Sequence, residues 1–423
     1  MANLSLAVLT LSLCYAVYDG GTLLLHSWVL GLGSFLAYAL ACKGHLPSPP
    51  LPVIVPLGAV FVYAVFQLVP VPAGLIALLS PVRFEVVDAA RGVLGSVSTA
   101  ALTASVADGA QRVNWAGAAI LAFAVSNALS SRQRLPVWAP VVPVLALASG
   151  SAVLGLVQAV GGPSVAHGTF VNRNHFAGFL ELALPFALVL IVYAFTGGGR
   201  VVAGAAGVAA LGLCIAGVVL SQSRMGYAAS IAGLASAALL LVTTSSTGGG
   251  AVKRGGGVLT VVAAACLAFL LFATPVLIGR FGTLENPDGP PDATRSALWH
   301  DAVTVIEAYP IAGCGYGAYH RGAQQMQKAI PAFFVNYAHN DYLQLAAELG
   351  IPAMIMLAAA AFFAVRLTVR NIRKAPTPEL RYRAIACLGA YVAIALHSFV
   401  DFNLYVPANL MALAWIAGIG TAE

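Results

Sequence analysis

Residues 174–196 read NHFAGFLELALPFALVLIVYAFT, an apolar run in which Glu181 is the only fully charged residue. A helix needs about 20 mainly apolar residues to cross the hydrocarbon core of a bilayer, so this run predicts a membrane span. Further runs of the same kind occur along the whole chain. The sequence therefore predicts an all-α integral membrane protein with about twelve transmembrane helices, in which residues 1–423 form a single polytopic domain. The predicted spans are 3–18, 22–42, 51–70, 113–129, 136–160, 174–196, 200–220, 225–245, 257–278, 343–366, 382–400 and 403–420.

The composition excludes a soluble fold of this size. Of the 423 residues, 60% are hydrophobic and only 9% are charged, whereas a soluble domain carries roughly 25% charged residues. The formal net charge is +6, but the basic residues lie in short loops instead of forming one patch. We therefore expect membrane lipid, and no nucleic acid, as the surroundings of this chain.

The loop charges predict the orientation of the chain. Connections after even-numbered spans are basic, and those after odd-numbered spans hold most of the acidic residues. This asymmetry follows the positive-inside rule and predicts that both termini are cytoplasmic. The first residues lack the positive region of a signal peptide, so we expect the first span to remain uncleaved. The basic residues of the cytoplasmic connections are Lys43, Arg132, Arg134, Arg200, Lys253, Arg254, Arg366, Arg370, Arg373, Lys374, Arg381 and Arg383.

Two segments on the other side of the membrane are too long to be simple turns. Residues 71–112 include an amphipathic stretch, 85–94, which is expected to lie in the membrane interface. Residues 279–342, between the ninth and tenth spans, form the largest polar excursion and are expected to contain a helix over 293–309 that Pro310 ends. The chemistry of the protein is therefore expected on this face.

Arginines at the membrane boundary are candidates for function, because charge at this depth is costly and usually serves a purpose. Arg224 lies in the short hinge SQSRMG (221–226), on the side where the positive-inside rule gives no reason for an arginine. Arg173 lies on the same side, next to Asn174 and His175. The alternatives are contact with lipid headgroups for Arg224 and an elaborate helix cap for the other three residues.

Arg280 and Arg295 flank the irregular acidic stretch ENPDGPPD (285–292). Helical spacing places Arg295 and Trp299 on one face, since they are four residues apart. The alternative to anion binding is an ion pair between Arg295 and a neighbouring acid.

His339 is the strongest candidate for accepting a proton. The stretch YAHNDYLQ (337–344) leads from the long loop into the tenth span, and imidazole is the side chain that ordinarily titrates near neutral pH. Asn340 follows it as a further polar candidate, and Asp341 or Glu348 would orient the ring. The alternative is a histidine with a purely structural role.

His397 and Asp401 form a second polar group between the last two spans. They are one helical turn apart, which permits a hydrogen bond between them. We interpret them as a pair that supports the site from behind or closes its cavity. A structural role is the alternative.

Metal-binding motifs are missing from the chain. No HExxH pattern and no paired-cysteine pattern occurs. The arginines are therefore the available anion binders, and their two-pronged guanidinium groups suit phosphate oxygens. We expect no metal ion and no cofactor.

Several motifs together resemble those of the O-antigen ligase/polymerase superfamily. They are GTFVNRNHFAGF (168–179), SQSRMG (221–226), RSALWHDA (295–302), YPIAGCGYGAY (309–319) and HNDYLQLAAELG (339–350). The resemblance covers about residues 165–365, and the predicted spans extend it to the whole chain. It implies a GT-C-type, inverting, metal-independent glycosyltransferase of the bacterial inner membrane. Its donor would be a glycan on undecaprenyl diphosphate at the periplasmic face, and the acceptor of a ligase would be lipid A–core oligosaccharide.

The resemblance also assigns roles to particular residues. It implies that Arg224 and Arg295 bind the diphosphate and that His339 is the general base. The chemistry agrees, because diphosphate leaves readily once its developing charge is neutralised. Arg91, in the interfacial segment, is a weaker candidate for a phosphate of the donor or the acceptor.

Three other functions stay open at this point. Polysaccharide polymerases and protein O-oligosaccharyltransferases share the same motifs and differ in their acceptor. The chain ends soon after its last span, without the added domain of some protein-glycosylating relatives, which favours a ligase. A transporter or lipid flippase would show two related halves and charges in the middle of its spans. No related halves are evident, and the spans contain almost no charge except Glu181 and Glu348.

Overall fold

The computed structural model describes residues 1–18, 28–43, 48–95, 98–131, 135–162, 165–196, 201–244, 295–324, 326–328 and 334–422. Its helices and strands are α1 (Ala2–Tyr18), α2 (Trp28–Cys42), α3 (Leu51–Phe66), β1 (Pro70–Pro72), α4 (Ala73–Leu79), α5 (Pro81–Leu94), β2 (Thr99–Ala101), α6 (Val106–Ser131), α7 (Val142–Gly161), α8 (Arg173–Thr196), α9 (Val201–Ser221), α10 (Arg224–Thr243), α11 (Arg295–Ala308), α12 (Tyr319–Ala323), α13 (Asp341–Lys374), α14 (Pro378–His397), a 3-10 turn (Asn403–Tyr405) and α15 (Pro407–Thr421).

Helix α8 lies at the centre of the bundle. Every residue from Phe176 to Tyr193 is buried, and helices α7, α9, α10, α14 and α15 pack around it. A helix that is apolar on all sides is enclosed either by other helices or by lipid, and here other helices enclose it. The run that opened the sequence analysis is therefore the core of the fold, and it carries Glu181 into the interior.

The helices confirm the predicted class, an all-α multi-pass membrane protein. By length and composition, α6, α7, α8, α9, α10 and α13 can each cross a membrane, and α1, α2, α3 and α15 are apolar but shorter. Large apolar side chains such as Leu11, Val62 and Phe362 are exposed on the outside of the bundle, as expected for a surface that lipid covers. The total of twelve spans stays a prediction, because the predicted ninth span, 257–278, lies outside the described residues.

A two-stranded sheet follows α3, which the sequence did not predict. β1 runs antiparallel to β2, with Val71 opposite Ala100. The prolines on either side of Val71 have no N–H to donate, which limits the pairing to a short ladder. Helices α4 and α5 lie between the strands, and α6 then begins at Val106 instead of at 113. The polar residues before 113 continue the helix beyond its apolar part.

Helix α13 contains a break that anchors the loop after α11. Gly350 has a φ of 79°, inside the left-handed region that favours glycine. The break leaves the carbonyls of Ala347 and Glu348 without helical partners. They accept the N–H groups of Cys314 at 2.9 Å and of Gly315 at 3.0 Å. The glycine-rich motif at 309–319 is therefore a loop docked onto this break.

The helix directions define two ends of the bundle. The upper end holds the first residues of α8, α10 and α13 and the last residue of α14. The Asp341 N–H donates to the Ser398 carbonyl there, at 2.9 Å. The lower end holds the last residues of α13 and α15 and the first residues of α14. The candidate residues that the sequence singled out, where the structure describes them, lie at the upper end.

Candidate functional site

Two helices start side by side with an arginine at the upper end. Arg224 is the first residue of α10, and Arg173 is the first residue of α8. A β-carbon at Gly226 would lie 2.6 Å from Ala177 Cβ, so the first turns approach this closely only because residue 226 is glycine. Both arginines are half-buried. Each stands at a helix N-terminus, where backbone N–H groups and the helix dipole favour an anion.

The hinge before Arg224 is a constrained turn. Gln222 has a φ of 54°, a value that residues other than glycine rarely adopt. Ser223 then caps α10, and its Oγ accepts the Gly226 N–H at 3.2 Å. Backbone strain of this kind concentrates at functional sites. The turn fixes the position at which Arg224 leaves the backbone.

Helix α11 brings Trp299 to His339. This helix confirms the one expected before Pro310, and the Trp299 indole N–H donates to the His339 carbonyl oxygen at 3.2 Å. Arg295 lies one turn before Trp299, close enough for its charge to act on His397. Arg295, His339 and His397 therefore share one region of the upper end.

His339 is held against a buried carboxylate. The residue directly precedes the cap of α13 and has a φ of 50°. Its Nδ1 lies 3.5 Å from Asp401 Oδ1; 35% of the His339 side chain is exposed, against 1% for Asp401. The carboxylate thus supports the ring from inside while part of the ring reaches the surface.

Asp401 faces a second imidazole as well. His175 Nε2 lies 3.5 Å from the same Oδ1, which also accepts the Phe402 N–H at 2.9 Å. Burial by itself would raise the pKa of the Asp401 carboxyl, but the neighbouring His175 and His339 rings hold that pKa well below its ordinary value. The carboxylate is therefore anionic and can stabilise a protonated His339.

The prediction of a hydrogen bond between His397 and Asp401 is wrong. His397 Nδ1 bonds to Glu181 Oε2 at 2.9 Å, and both side chains are fully buried. Helix α14 ends at His397 and the chain then turns, so Asp401 no longer lies on the face that the helical spacing assumed. The partner of His397 is therefore Glu181 of the central helix α8 instead of Asp401.

The expectation that Asp341 or Glu348 orients His339 is also wrong. The Asp341 carboxylate accepts the Leu404 N–H at 3.1 and 3.2 Å. Glu348 accepts the Gly317 N–H at 2.7 Å and the Tyr405 hydroxyl at 2.6 Å. Both acids hold loops onto α13. Asp401, which is distant in sequence, is the acid beside His339.

Arg112 was not predicted from the sequence, and it holds the aromatic side chains beside His339 in place. Its guanidinium donates to the Tyr405 carbonyl at 2.7 Å and to the Tyr337 hydroxyl at 2.9 Å. Tyr337 stacks on Phe402 with ring centroids 3.8 Å apart, and Phe402 and His339 form a T-shaped pair with ring centroids 5.0 Å apart. A signal was available, because Arg112 stands at the membrane boundary as Arg224 does.

Behind His339 lies a buried region rich in unpartnered polar atoms. Buried polar atoms are ordinarily hydrogen-bonded to protein groups, water or a ligand, but several here have no partner among the described residues. No three His, Cys, Asp or Glu side chains in the described ranges are placed to hold a metal ion. The unpartnered atoms include His175 Nδ1, Glu181 Oε1, His397 Nε2, Asp401 Oδ2 and Asn403 Nδ2.

The remaining candidates have simpler surroundings. Asn340 caps α13, and its Oδ1 accepts the Tyr342 N–H at 3.0 Å. Asn174 is half-buried in the first turn of α8. Arg91 belongs to α5, but its side chain lies outside what the structure describes, as does all of Arg280.

These features define a multi-pass membrane protein with basic and titratable side chains gathered at one end of its helices. The family described as O-antigen ligase matches residues 209–358, a range that contains Arg224, Arg295 and His339. The match confirms the resemblance to the O-antigen ligase/polymerase superfamily over that part of the chain, and it supports a membrane enzyme of the ligase or polymerase type. None of the curated proteins matches the chain.

Proposed function

We propose that the protein is an inverting, metal-independent glycosyltransferase of the bacterial inner membrane. Its donor is a glycan on undecaprenyl diphosphate, and its acceptor is lipid A–core oligosaccharide. The upper end of the bundle faces the periplasm, and both termini are cytoplasmic. The charge asymmetry of the loops and the family match support this assignment.

One observation carries the proposal: Asp401, His339, Trp299 and Arg295 form a chain of neighbours at the same end as Arg224. Asp401 Oδ1 lies 3.5 Å from His339 Nδ1, and the Trp299 indole N–H donates to the His339 carbonyl oxygen at 3.2 Å. An anion-binding group thus stands next to a supported base. Transfer from a diphosphate to a hydroxyl needs both groups.

His339 is the general base in this proposal. As the acceptor hydroxyl oxygen bonds to the anomeric carbon, its proton passes to His339 Nε2. Nδ1 meanwhile faces Asp401, whose charge stabilises the imidazolium that forms. A positioned base contributes about 10²–10⁴-fold to such a transfer.

Arg224 and Arg295 receive the leaving group. The bond from the anomeric carbon to the diphosphate oxygen breaks, and its electron pair stays on the diphosphate. The two guanidinium groups neutralise the added charge, which is the task that a metal ion performs in other transferases. Attack from the side opposite the diphosphate inverts the anomeric configuration.

The other candidates are assigned to substrate binding and support. Arg173 and Asn174, at the start of α8, and Arg280 are further contacts for phosphate or sugar. Trp299 holds the His339 carbonyl, and Asn340 caps α13 directly after His339. Arg91 on α5 meets a substrate phosphate at the membrane interface.

His397, Asp401 and Glu181 support the site from within. Asp401 acts on the base directly, and the fully buried Glu181–His397 pair joins α8 to the end of α14. The pair thereby holds the start of the Asp401 loop in place.

The test is transfer by purified protein in liposomes that contain the lipid-diphosphate glycan, a chelator and one acceptor at a time. Glycan on lipid A–core supports the ligase. Extension of the glycan chain would instead show a polymerase, and transfer to a protein would show an O-oligosaccharyltransferase. Movement of intact donor across the membrane without transfer would show a flippase.

Matched variants test the residue roles. We expect His339→Ala to lose at least 10²-fold in rate, while His300→Ala, an exposed histidine on α11, stays near the wild type. We expect Arg224→Ala and Arg295→Ala to lose about 10²–10³-fold, and Arg321→Ala, an exposed arginine of the same end, to lose little. Full activity in both of the first two arginine variants would refute the diphosphate contact.

A further inference from the structure

The lower end of the bundle contains a basic pocket that the proposed reaction does not use. It is a cavity of about 250 Å³ between the end of α6, the end of α13, the start of α14 and the end of α15. No acidic side chain lines it among the described residues. Its polar lining is Arg370, Lys374, Arg383, Asn371, Ser130 and Ser131.

The pocket lies at the far side of the protein from His339. Helix α13 starts beside His339 and ends at Lys374, after 34 residues. From the break at Gly350 to Lys374 the helix continues for 24 residues, or about 36 Å at about 1.5 Å per residue, which exceeds the roughly 30 Å thickness of the hydrocarbon core of a bilayer. Lys374 therefore lies at the level of the lipid headgroups on the opposite face.

The cationic wall of the pocket includes a buried arginine. Arg383 is only 5% exposed, and its Nη1 donates to the Val137 carbonyl at 3.2 Å. This contact orients the guanidinium but does not neutralise its charge. Arg370 and Lys374, by contrast, are exposed at the mouth of the pocket. An anion in the pocket would therefore meet positive charge from Arg383 in the interior and from Arg370 and Lys374 at the entrance.

The rest of the polar lining is held in place and includes an unused donor. The Asn371 amide donates to the carbonyls of Gly420 at 2.9 Å and Ala422 at 2.8 Å, which holds the end of α15 in place. The buried Ser130 hydroxyl has no hydrogen-bond partner among the described residues. Buried hydroxyls are normally paired, so this one points to a ligand that accepts a hydrogen bond.

We propose that this pocket binds the phosphate of an anionic phospholipid headgroup. Guanidinium and ammonium groups with a hydroxyl donor suit phosphate oxygens. Basic pockets between helices at the headgroup level are where such lipids bind. The assignment is independent of the proposed transferase activity, because it concerns the other end of the bundle.

The test measures lipid binding by native mass spectrometry of the full chain in detergent. Phosphatidylglycerol is titrated against phosphatidylcholine with the same acyl chains. We expect preferential retention of one phosphatidylglycerol by the wild type, and about fivefold weaker retention in each of Lys374→Gln and Arg370→Gln. Both side chains are exposed, so neither substitution threatens folding.

Two neighbouring basic residues provide matched controls. Arg373 and Arg366 are exposed on the same helix but do not line the cavity, and Arg373→Gln and Arg366→Gln should retain the lipid as the wild type does. Equal losses in all four variants would overturn the proposal in favour of a diffuse basic surface. Displacement of the lipid by excess inorganic phosphate would overturn it in favour of a soluble anion.

Discussion

The substitution Asp401→Asn removes the charge behind His339 while it keeps the size of the side chain. At an effective dielectric constant of about 20, two unit charges 3.5 Å apart attract by about 5 kcal/mol. Because 35% of the His339 side chain is exposed, solvent screens part of this attraction. We expect about 3–4 kcal/mol to remain in the transition state, which corresponds to a rate reduced by about 10²–10³-fold.

The assay is the single-turnover transfer rate at saturating donor, together with the donor affinity. The rate should fall while donor affinity stays constant, since the substitution leaves Arg224 and Arg295, the proposed diphosphate ligands, unchanged.

The control for this substitution is Asp341→Asn, which makes the same change at another buried acid of the upper end. That carboxylate holds the Leu404 N–H and not His339, so we expect a lower melting temperature and a transfer rate near that of the wild type. If Asp401→Asn keeps its rate within about threefold, the support of His339 by Asp401 is refuted.

Three further substitutions test other parts of the structure. Trp299→Phe deletes the N–H that donates to the His339 carbonyl, and should lower the free energy of unfolding by about 0.5–1.5 kcal/mol and slow transfer, as measured by denaturation and the same assay. Gly317→Ala places a β-carbon against Arg112 at a φ of 80°, so chemical denaturation should show a loss of about 1–3 kcal/mol. Burial lowers the pKa of the His320 ring, so below about pH 6.5 the folded protein binds a proton there less readily than the unfolded chain does. Stability should therefore fall as pH drops through that value, and melting curves of His320→Gln should show a weaker fall.

The sequence predicted the elements of the fold well, because membrane spans depend on local composition. The run 174–196 became the central helix, and the helix after residue 293 stops before Pro310 as expected. The strand pair after α3 escaped prediction, since three-residue strands leave no periodic pattern. The start of α6 was placed too late because hydrophobicity marks the membrane part of a helix and not its polar extension.

The candidate site was predicted in its members but not in its pairings. Motifs and topology placed Arg224, Arg295 and His339 on one side of the membrane, and the structure brings them to one end. The partners of the two histidines were missed because they come from distant parts of the chain. Glu181 reaches His397 across two packed helices, and no sequence spacing reports such a contact.

In the proposed mechanism the base His339 needs a carboxylate beside it and yet works next to an anionic diphosphate donor. The burial of Asp401 and Glu181 explains how both conditions are met. Asp401 and Glu181 are 1% and 0% exposed, and each faces an imidazole in the interior. A carboxylate at the surface of the site would repel the diphosphate and compete with it for the guanidinium groups. Asp401 faces His339 through Nδ1, from the interior. In the proposed mechanism its charge therefore acts on the base, while Arg224 and Arg295 meet the substrate. The break after α14, which carries Asp401 away from His397, is the feature of the backbone that makes this separation possible.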